Sequence, residues 1–256
     1  MSYSISNELA DSSIEAMNGL DELCQKIEHA GFGFVPAEQV KTWLNNASAN
    51  ALNDWPQFQA SWNNMQLDTY MADGGRYRRR RYATMSAASA TSPIALEPHQ
   101  PHYQSLDYNP LNGGVARHFQ PIAQEIALGN TMSSVLGFCR QLFGRLVPET
   151  AWHIELHQFR IEAQQEPAGK PTPEGVHRDG VNFVLVMMVK RNNISSGITT
   201  MHDLQLRKLD SFTLTAPFDC AIVNDERCMH GVTPVQQIDP MQPAYRDVLV
   251  VTFRKA

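Results

Sequence analysis

The chain has 256 residues, of which 43% are hydrophobic and 18% charged, with 15 glycines and 15 prolines. This composition excludes disordered, collagen-like and coiled-coil proteins, and it predicts one folded unit of enzyme size that covers residues 1–256. The formal net charge of −5 at pH 7 argues against a broad nucleic-acid-binding face, because neutralising phosphates requires an excess of Lys and Arg.

Cysteine usage and the N-terminus favour a reduced, cytoplasmic protein. Cys24, Cys139, Cys220 and Cys228 form no Cys-x-x-Cys pair, and a chain of this size needs no disulfides, so we expect buried thiols. The first ten residues lack the basic and apolar regions of a secretory signal. No apolar run approaches the roughly 20 residues that cross a bilayer. We therefore expect a small-molecule partner, and neither nucleic acid nor membrane.

The first 150 residues are predicted to be a mostly helical support with one or more sheet strands, because apolar residues recur at three- and four-residue intervals. The expected elements are a helix from about Asn7 to Ala30 that includes Ile14 and Met17, a strand at Phe32–Val35, a helix opened by Pro36, an apolar helical set around Trp55 and Trp62, and a long helix from about Pro121 to Phe143 ended by Gly144.

Arginines are concentrated in one predicted strand, at Arg76 and from Arg78 to Arg81. In an acidic chain without further basic clusters, solvated or carboxylate-paired arginines are favoured over a nucleic-acid patch. One of them could still face an anionic ligand, because Arg recognises carboxylates with a planar fork.

The segment Pro93–Gly114 is rich in Pro, Asn and Gly and is predicted to be a loop. Its His99 and His102 are three residues apart and could suggest a metal pair. Histidines in a proline-rich loop are more often exposed to solvent, which is the expectation here.

From Trp152 onward the pattern changes to short strands separated by turns, without intervening helices, which predicts a sandwich or barrel. The fold class is therefore mainly β with a helical layer (α+β), and residues 151–256 form the core. The expected strands cover 152–162, 181–189, 198–201, 204–206, 212–214, 220–223, 229–232 and 247–253.

Residues 152–162 mix polar and apolar side chains on both faces, which suits the wall of a cavity for a polar ligand. The segment Gln164–Gly175 contains three prolines and is predicted to act as a lid over that cavity.

A possible metal site begins at His177-Arg178-Asp179-Gly180. If this segment belongs to the strand that follows, His177 and Asp179 share a face and can supply two ligands of a 2-His-1-carboxylate iron site. His230, followed by Gly231, is the candidate for the third ligand. The alternative is that both histidines are structural.

Arg246, Val248, Val250, Thr252 and Arg254 have one strand parity, so an arginine and a hydroxyl can face the same interior as the metal. Such an arginine could pair with the distal carboxylate of a 2-oxo acid bound to iron.

These motifs resemble the iron(II)/2-oxoglutarate dioxygenases. Together with the segments 74–80 and 157–161, they are similar to the bacterial free L-amino-acid hydroxylases of the L-isoleucine dioxygenase type. The resemblance covers about Asp73 to Phe253. It implies a double-stranded β-helix (jelly roll), iron(II) held by His177, Asp179 and His230, and 2-oxoglutarate anchored by Arg246, with dioxygen as the other cosubstrate and ascorbate as the reductant in vitro.

The implied reaction hydroxylates or sulfoxidises a free aliphatic or sulfur-containing L-amino acid and releases succinate and carbon dioxide. Thr252 and Arg254 are further candidates for 2-oxoglutarate binding, and Arg254 is the alternative anchor. The candidate substrate residues are Arg160 and Arg80 for the carboxylate, Glu162 or the second oxygen of Asp179 for the ammonium, and Asn182, which stands where the family pattern predicts an acidic residue. A purely structural role for each arginine is the competing hypothesis.

Other classes of protein fit these motifs less well. A protein kinase is rejected because the chain lacks the Gly-rich loop, the Asp-Phe-Gly motif and the required asparagine. A zinc hydrolase would leave Arg246 without a role. The same iron core acting on another small molecule or a nucleobase, and a non-catalytic jelly-roll binding protein, remain as alternatives.

Overall fold

The computed structural model describes residues 19–89, 91–164 and 168–256. The helix predicted from about Asn7 is seen from residue 19 to residue 30, while Ile14 and Met17 lie outside the described residues. Among the described residues, no helix has the length and apolar character needed to span a membrane.

The helices gather in the first 150 residues, as predicted. They are α1 (19–30), α2 (Ala37–Ala47), α3 (Trp55–Ala60) with a following 3-10 turn (Ser61–Asn64), α4 (Gln124–Ala127) and α5 (Asn130–Leu146). Pro36 lies at the N-cap of α2, where its missing N–H removes no helical hydrogen bond.

The single long helix predicted from Pro121 to Phe143 is wrong, because the chain breaks between α4 and α5. At the break, the Asp54 carboxylate accepts hydrogen bonds from the backbone N–H and the hydroxyl of Thr131. A Cβ on Gly129 would lie 2.3 Å from Asp54 Oδ2, so only glycine fits. The helix also continues past Gly144 to Leu146.

Thirteen strands are present in the described part of the chain. They are β1 (Phe32–Val35), β2 (Arg78–Ala87), β3 (Ala95–Leu96), β4 (Gln120–Pro121), β5 (Trp152–Glu162), β6 (Phe183–Asn192), β7 (Ile194–Ser196), β8 (Thr199–His202), β9 (Lys208–Phe212), β10 (Cys220–Asn224), β11 (Met229–Val232), β12 (Val235–Gln237) and β13 (Tyr245–Lys255). The strand predicted at Leu204–Leu206 is wrong, because these residues form the turn between β8 and β9.

Eight strands form the main sheet, in the order β1-β10-β6-β13-β5-β2-β3, with β4 beside β2. Its neighbours are antiparallel except for the short β2–β4 pair. The remaining strands form two small sheets, β11-β8-β9 and β12-β7, which we call together the minor layer. The main sheet therefore takes strands from both halves of the chain.

The register of the main sheet separates two faces. Leu249 on β13 lies beside Gln158 on β5, and the next residue pair, Val250 and His157, points the other way. One face packs under the helices in the largest hydrophobic cluster, which includes Leu156 and Leu249. The opposite, inner face turns toward the minor layer. This is the predicted α+β arrangement of a β core with a helical layer.

Candidate active site

A cavity of ≈ 120 Å³ lies between the inner face of the main sheet and the minor layer. Alternate residues of the central strands line it, and their register places them in rows across β13, β5 and β2. These rows are Arg246–Ile161–Arg78, Val248–Phe159–Arg80 and Val250–His157–Tyr82. Residues 152–162 therefore form a cavity wall, as predicted.

The structure brings His177, Asp179 and His230 together at the minor-layer side of this cavity. Nε2 of His177 lies 3.6 Å from Oδ1 of Asp179, and Nε2 of His230 lies 3.7 Å from Oδ2. One ligand atom from each residue falls within 4.8 Å of the others. Two imidazoles and a carboxylate converging in this way are the donor set of a non-haem iron(II) site.

Backbone hydrogen bonds bring the three ligands together. The two-residue repeat of a strand, on which the sequence prediction relied, is not what places His177 and Asp179. His177 precedes β6 instead of belonging to it, and it forms an isolated antiparallel bridge with His230. The two residues exchange N–H···O hydrogen bonds of 2.9 Å each. His177 Nδ1 is 3.0 Å from the carbonyl oxygen of Gly175, which leaves Nε2 for a metal.

A buried carboxylate, Asp225, holds the loop that carries Asp179. Its oxygens accept hydrogen bonds from the backbone N–H groups of Asp179, Gly180 and Val181, at 2.9, 2.8 and 3.2 Å. Gly180 has φ +81°, and a Cβ there would lie 2.5 Å from the ring of Tyr108. Glycine is therefore required by both backbone conformation and space.

The three side chains of the cluster change one another's pKa values. Burial acts to lower the pKa of His177, but the hydrogen bond and charge of Asp179, with the charge of Glu174, outweigh it and raise that pKa to about 9. Burial acts to raise the pKa of Asp179, yet His177 holds it well below the usual range. Burial and the charge of His177 lower the pKa of His230 to about 4. A metal ion would compete with the proton on His177.

Arg246, on β13, lies at one end of the cavity. It is only 3% exposed, and its Nε and Nη2 have no hydrogen-bond partner among the described residues. Burial and the neighbouring charge of Arg191 lower its pKa to about 10. Thr252, also buried, lines the same cavity. A buried cation without a counter-ion is suited to bind a carboxylate of a ligand.

A second polar cluster, formed by His102, Glu155 and His157, lines the opposite wall. Glu155 accepts hydrogen bonds from Tyr82 at 2.7 Å and from His102, and Nη2 of Arg80 is 2.8 Å from His157 Nδ1. Burial and Arg80 lower the pKa of His157 to about 3, so it is neutral. The expectation that His102 is exposed is wrong, because its backbone pairs with Arg117 and turns it inward, whereas His99 is exposed.

The arginines of β2 alternate between the two faces of the main sheet. On the outer face, Arg79 pairs with Glu162, and Arg81 donates to the carbonyl oxygens of Ser61 and Asn64. On the inner face, Arg78 pairs with Asp68, while Arg80 lies in the cavity between the rings of Phe119 and Phe159. These contacts agree with structural and ligand-facing roles for the arginines.

Four of the predicted site residues do not reach the cavity. Arg160 and Glu162 have the parity of the outer face, where Arg160 binds Asp247 and Glu162 binds Arg79. Asn182 turns toward the end of the chain and accepts a hydrogen bond from Lys255 N at 2.8 Å. Arg254 follows Thr252, the last residue of β13 that lines the cavity, and it is exposed. Their predicted roles as ligand-binding residues are contradicted by these positions.

The residues at the site that sequence reasoning missed include Arg117, Glu174 and Asp225. Arg117 and Glu174 line the cavity, and Asp225 supports the Asp179 loop. Glu174 belongs to the proposed lid, Gln164–Gly175, of which residues 165–167 lie outside the described residues. The described part is tied to the minor layer, because Gly169 pairs with Val235 and Thr172 with Val232.

Comparisons with known proteins agree with this geometry. A family model described as 2OG-Fe dioxygenase matches residues 59–252. The chain is 23% identical over 241 residues to 3(1)-hydroxy-L-isoleucine 4-dioxygenase of Pantoea ananatis, which covers 91% of this chain and 96% of the relative. It is 25% identical over 201 residues to L-isoleucine-4-hydroxylase of Bacillus thuringiensis, which covers 77% of this chain and 81% of that one.

A solved structure shows the same fold. The crystal structure of a bsmA homolog from Methylobium petroleophilum superposes with a TM-score of 0.82 and 31% sequence identity, over 93% of both chains. This similarity confirms the predicted double-stranded β-helix.

Proposed function

The chain belongs to the 2OG-Fe dioxygenase family, and we propose that it oxidises a free aliphatic or sulfur-containing L-amino acid within one catalytic domain that covers residues 1–256. It is an oxidoreductase, and its reaction uses iron(II), 2-oxoglutarate and dioxygen. The observation that carries the proposal is the convergence of two buried histidines and a carboxylate in the same cavity as Arg246, a buried arginine whose Nε and Nη2 have no hydrogen-bond partner among the described residues.

The side chains fit both the metal and the cosubstrate. His177, Asp179 and His230 would hold iron(II) through two imidazole nitrogens and one carboxylate oxygen. Arg246 would bind the distal carboxylate of 2-oxoglutarate, because its buried N–H groups have no acceptor in the described part of the chain. Thr252 lies six residues further along β13, roughly 20 Å away at about 3.3 Å per residue, so its hydroxyl lines a different part of the cavity. When bound with dioxygen, iron(II) and 2-oxoglutarate supply an oxidant able to hydroxylate an unactivated carbon, and succinate and carbon dioxide are released.

The remaining residues of the cavity orient the substrate and exclude water. Val186, Val248, Val250 and Phe159 give the wall an apolar surface suited to an aliphatic side chain. Buried arginines and carboxylates lie on the β2–β5 side and beside the metal cluster. A cavity of ≈ 120 Å³ favours a small molecule. The two curated relatives act on isoleucine or its hydroxylated derivative according to their names, which supports the same substrate class here.

The test is to incubate the purified protein with iron(II), ascorbate, 2-oxoglutarate and a panel of free L-amino acids, and to measure succinate and the oxidised product. We expect an aliphatic or sulfur-containing amino acid to stimulate succinate release, with the product gaining one oxygen atom. Asp179→Ala should abolish this release while its circular dichroism spectrum stays that of the wild type. The proposal is refuted if no free amino acid stimulates succinate, or if Asp179→Ala retains full activity.

A further inference from the structure

Four charged groups of the cavity remain once the roles proposed above are assigned. Asp179 is part of the metal cluster, and Arg246 is assigned to the carboxylate of the cosubstrate. Arg78 forms an ion pair with Asp68, which neutralises its charge. The others are two arginines, Arg80 and Arg117, and two carboxylates, Glu155 and Glu174. Their formal charges cancel, so this part of the cavity matches a zwitterion better than a net anion or a net cation.

The two arginines are buried and short of acceptors. Arg117 is 1% exposed and Arg80 is 5% exposed, and the Nε atom of each has no hydrogen-bond partner in the described residues. Arg80 is held between two phenylalanine rings, with its guanidinium 4.0 Å from the centroid of Phe119 and 4.6 Å from that of Phe159. A rigid planar fork with free donors in a dry site is suited to a carboxylate.

The two carboxylates differ in how many of their oxygens have hydrogen-bond donors. Glu155 is surrounded by Tyr82 and the histidines of the second polar cluster, and its pKa is well below the usual range because their hydrogen bonds outweigh the effect of burial. The side chain of Glu174 is only 8% exposed, and its Oε1 lies 3.4 Å from His177 Nε2. Its Oε2 is buried and has no hydrogen-bond partner among residues the structure describes. Glu174 is therefore the carboxylate with a free acceptor.

Glu174 and Arg117 line the same cavity. Burial and the charge of Arg78 lower the pKa of Arg117, while the charges of Asp68 and Glu174 oppose that shift. A cation site and an anion site thus face one small cavity, beside the metal cluster. An α-amino acid carries its carboxylate and its ammonium on the same carbon, and such a pair of sites can recognise both groups together.

We propose that Arg117 and Arg80 bind the α-carboxylate of the substrate and that Glu174 accepts the hydrogen bonds of its α-ammonium group. This subsite rests on the proposed function and names the residues that restrict the enzyme to free amino acids. Both charges are needed, because a buried carboxylate or arginine left unpaired would penalise a ligand that lacks the matching group.

The test removes one charged group at a time from the protein and from the ligand, and it measures how binding changes. The ligands are L-isoleucine, or the amino acid that gives most succinate in the panel, and its analogues without the amino group and without the carboxylate. For L-isoleucine these are 3-methylpentanoate and 2-methylbutylamine. The variants are Glu174→Gln and Arg117→Gln. Their matched controls are Glu162→Gln and Arg79→Gln, which remove the same charges from the outer face.

Glu174→Gln should raise KM for the amino acid by about 10- to 100-fold and should leave binding of the deaminated analogue unchanged. Arg117→Gln should raise KM similarly and leave binding of the decarboxylated amine unchanged. KM for 2-oxoglutarate, iron(II) binding and the melting temperature are measured alongside, and the two control variants should keep the wild-type KM for the amino acid.

The outcomes separate this subsite from the proposed function. If wild-type protein oxidises a free amino acid but Glu174→Gln and Arg117→Gln keep its KM, the subsite is wrong and the function stands. The subsite is also overturned if each variant weakens binding of the amino acid and of both analogues equally, because the loss of affinity is then not specific to the ligand group of opposite charge. If no free amino acid is oxidised, both proposals fall.

Discussion

Asp225 provides a sharp test of how the metal loop is held. This carboxylate is fully buried, and burial together with the charge of Asp179 raises its pKa. Its Oδ1 accepts one backbone hydrogen bond, from Asp179, and its Oδ2 accepts two, from Gly180 and Val181. The substitution Asp225→Asn keeps the volume of the side chain and removes one of the two acceptor oxygens.

The expected magnitude follows from these three bonds. Whichever way the new amide lies, at least one backbone N–H group faces an NH2 group. A buried donor without an acceptor costs about 1–3 kcal/mol, and the remaining bonds lose the contribution of the charge. We expect the free energy of unfolding to fall by about 2–4 kcal/mol, which lowers Tm by roughly 4–16 °C for a chain of this size. Affinity for iron(II) should fall by about 10- to 100-fold, because Asp179 is no longer held in place.

Asp219 offers a matched control. It is also buried and accepts backbone hydrogen bonds from Ala37, Thr215 and Ala216 at 3.0, 2.8 and 2.9 Å, but it does not line the cavity. Asp219→Asn should lower Tm by a similar amount and leave metal affinity unchanged. Differential scanning calorimetry of the metal-free proteins and anaerobic calorimetric titration with iron(II) measure the two effects. The reasoning is refuted if Asp225→Asn binds iron(II) like the wild type, or if both variants weaken binding equally.

Two further predictions concern groups that are buried in the structure. Arg246→Met should raise the 2-oxoglutarate concentration needed for half-maximal rate by about 10- to 100-fold without lowering Tm, since the charge it removes has no partner among the described residues. If Arg246→Met leaves that requirement unchanged, Arg246 is not the anchor of 2-oxoglutarate. Burial raises the pKa of all four thiols, of Cys24, Cys139, Cys220 and Cys228, so little reactive thiolate is present at pH 8. A disulfide reagent should therefore titrate them rapidly only after unfolding, and rapid reaction of all four in the native protein would contradict the structure.

Strand parity explains which parts of the site were accessible to sequence reasoning. Arg246 and Thr252 share one parity of β13, and the structure places both in the cavity. On β5 the same reasoning could not choose a face, because both faces carry polar residues. Arg160 and Glu162 lie on the helix-covered face near its polar edge, where ion pairs with other strands neutralise them. A charged residue in an ion pair differs from a ligand-binding residue only in having a partner within the protein. The partners here, Asp247 and Arg79, lie far away in the sequence.

The residues that sequence reasoning missed have no periodic pattern around them. Asp225 and Glu174 both lie outside regular strands. Asp225 contacts the Asp179 loop, 46 residues earlier in the chain, whereas the position of Glu174 beside His177 depends on how the irregular segment before His177 folds. The break before α5 also depends on a distant contact, because Asp54, from another element, accepts a hydrogen bond from the Thr131 N–H, which a continuous helix would donate to the carbonyl oxygen four residues earlier. Hydrophobic periodicity reports which face of an element is buried, and it carries no information about a contact of this kind.

Strand β5 carries two separate sets of positions along one segment of backbone. Odd-numbered residues from Glu155 to Ile161 meet the ligand cavity, while even-numbered residues such as Ile154 and Leu156 belong to the core under the helices. Substitutions at Glu155, His157 and Phe159 can therefore change what the cavity accepts without creating a void in the core under the helices. Ile161 is different, because it also packs in a second hydrophobic cluster with Tyr77 and Ala163. A library restricted to the three other odd positions would vary substrate range while leaving both clusters intact.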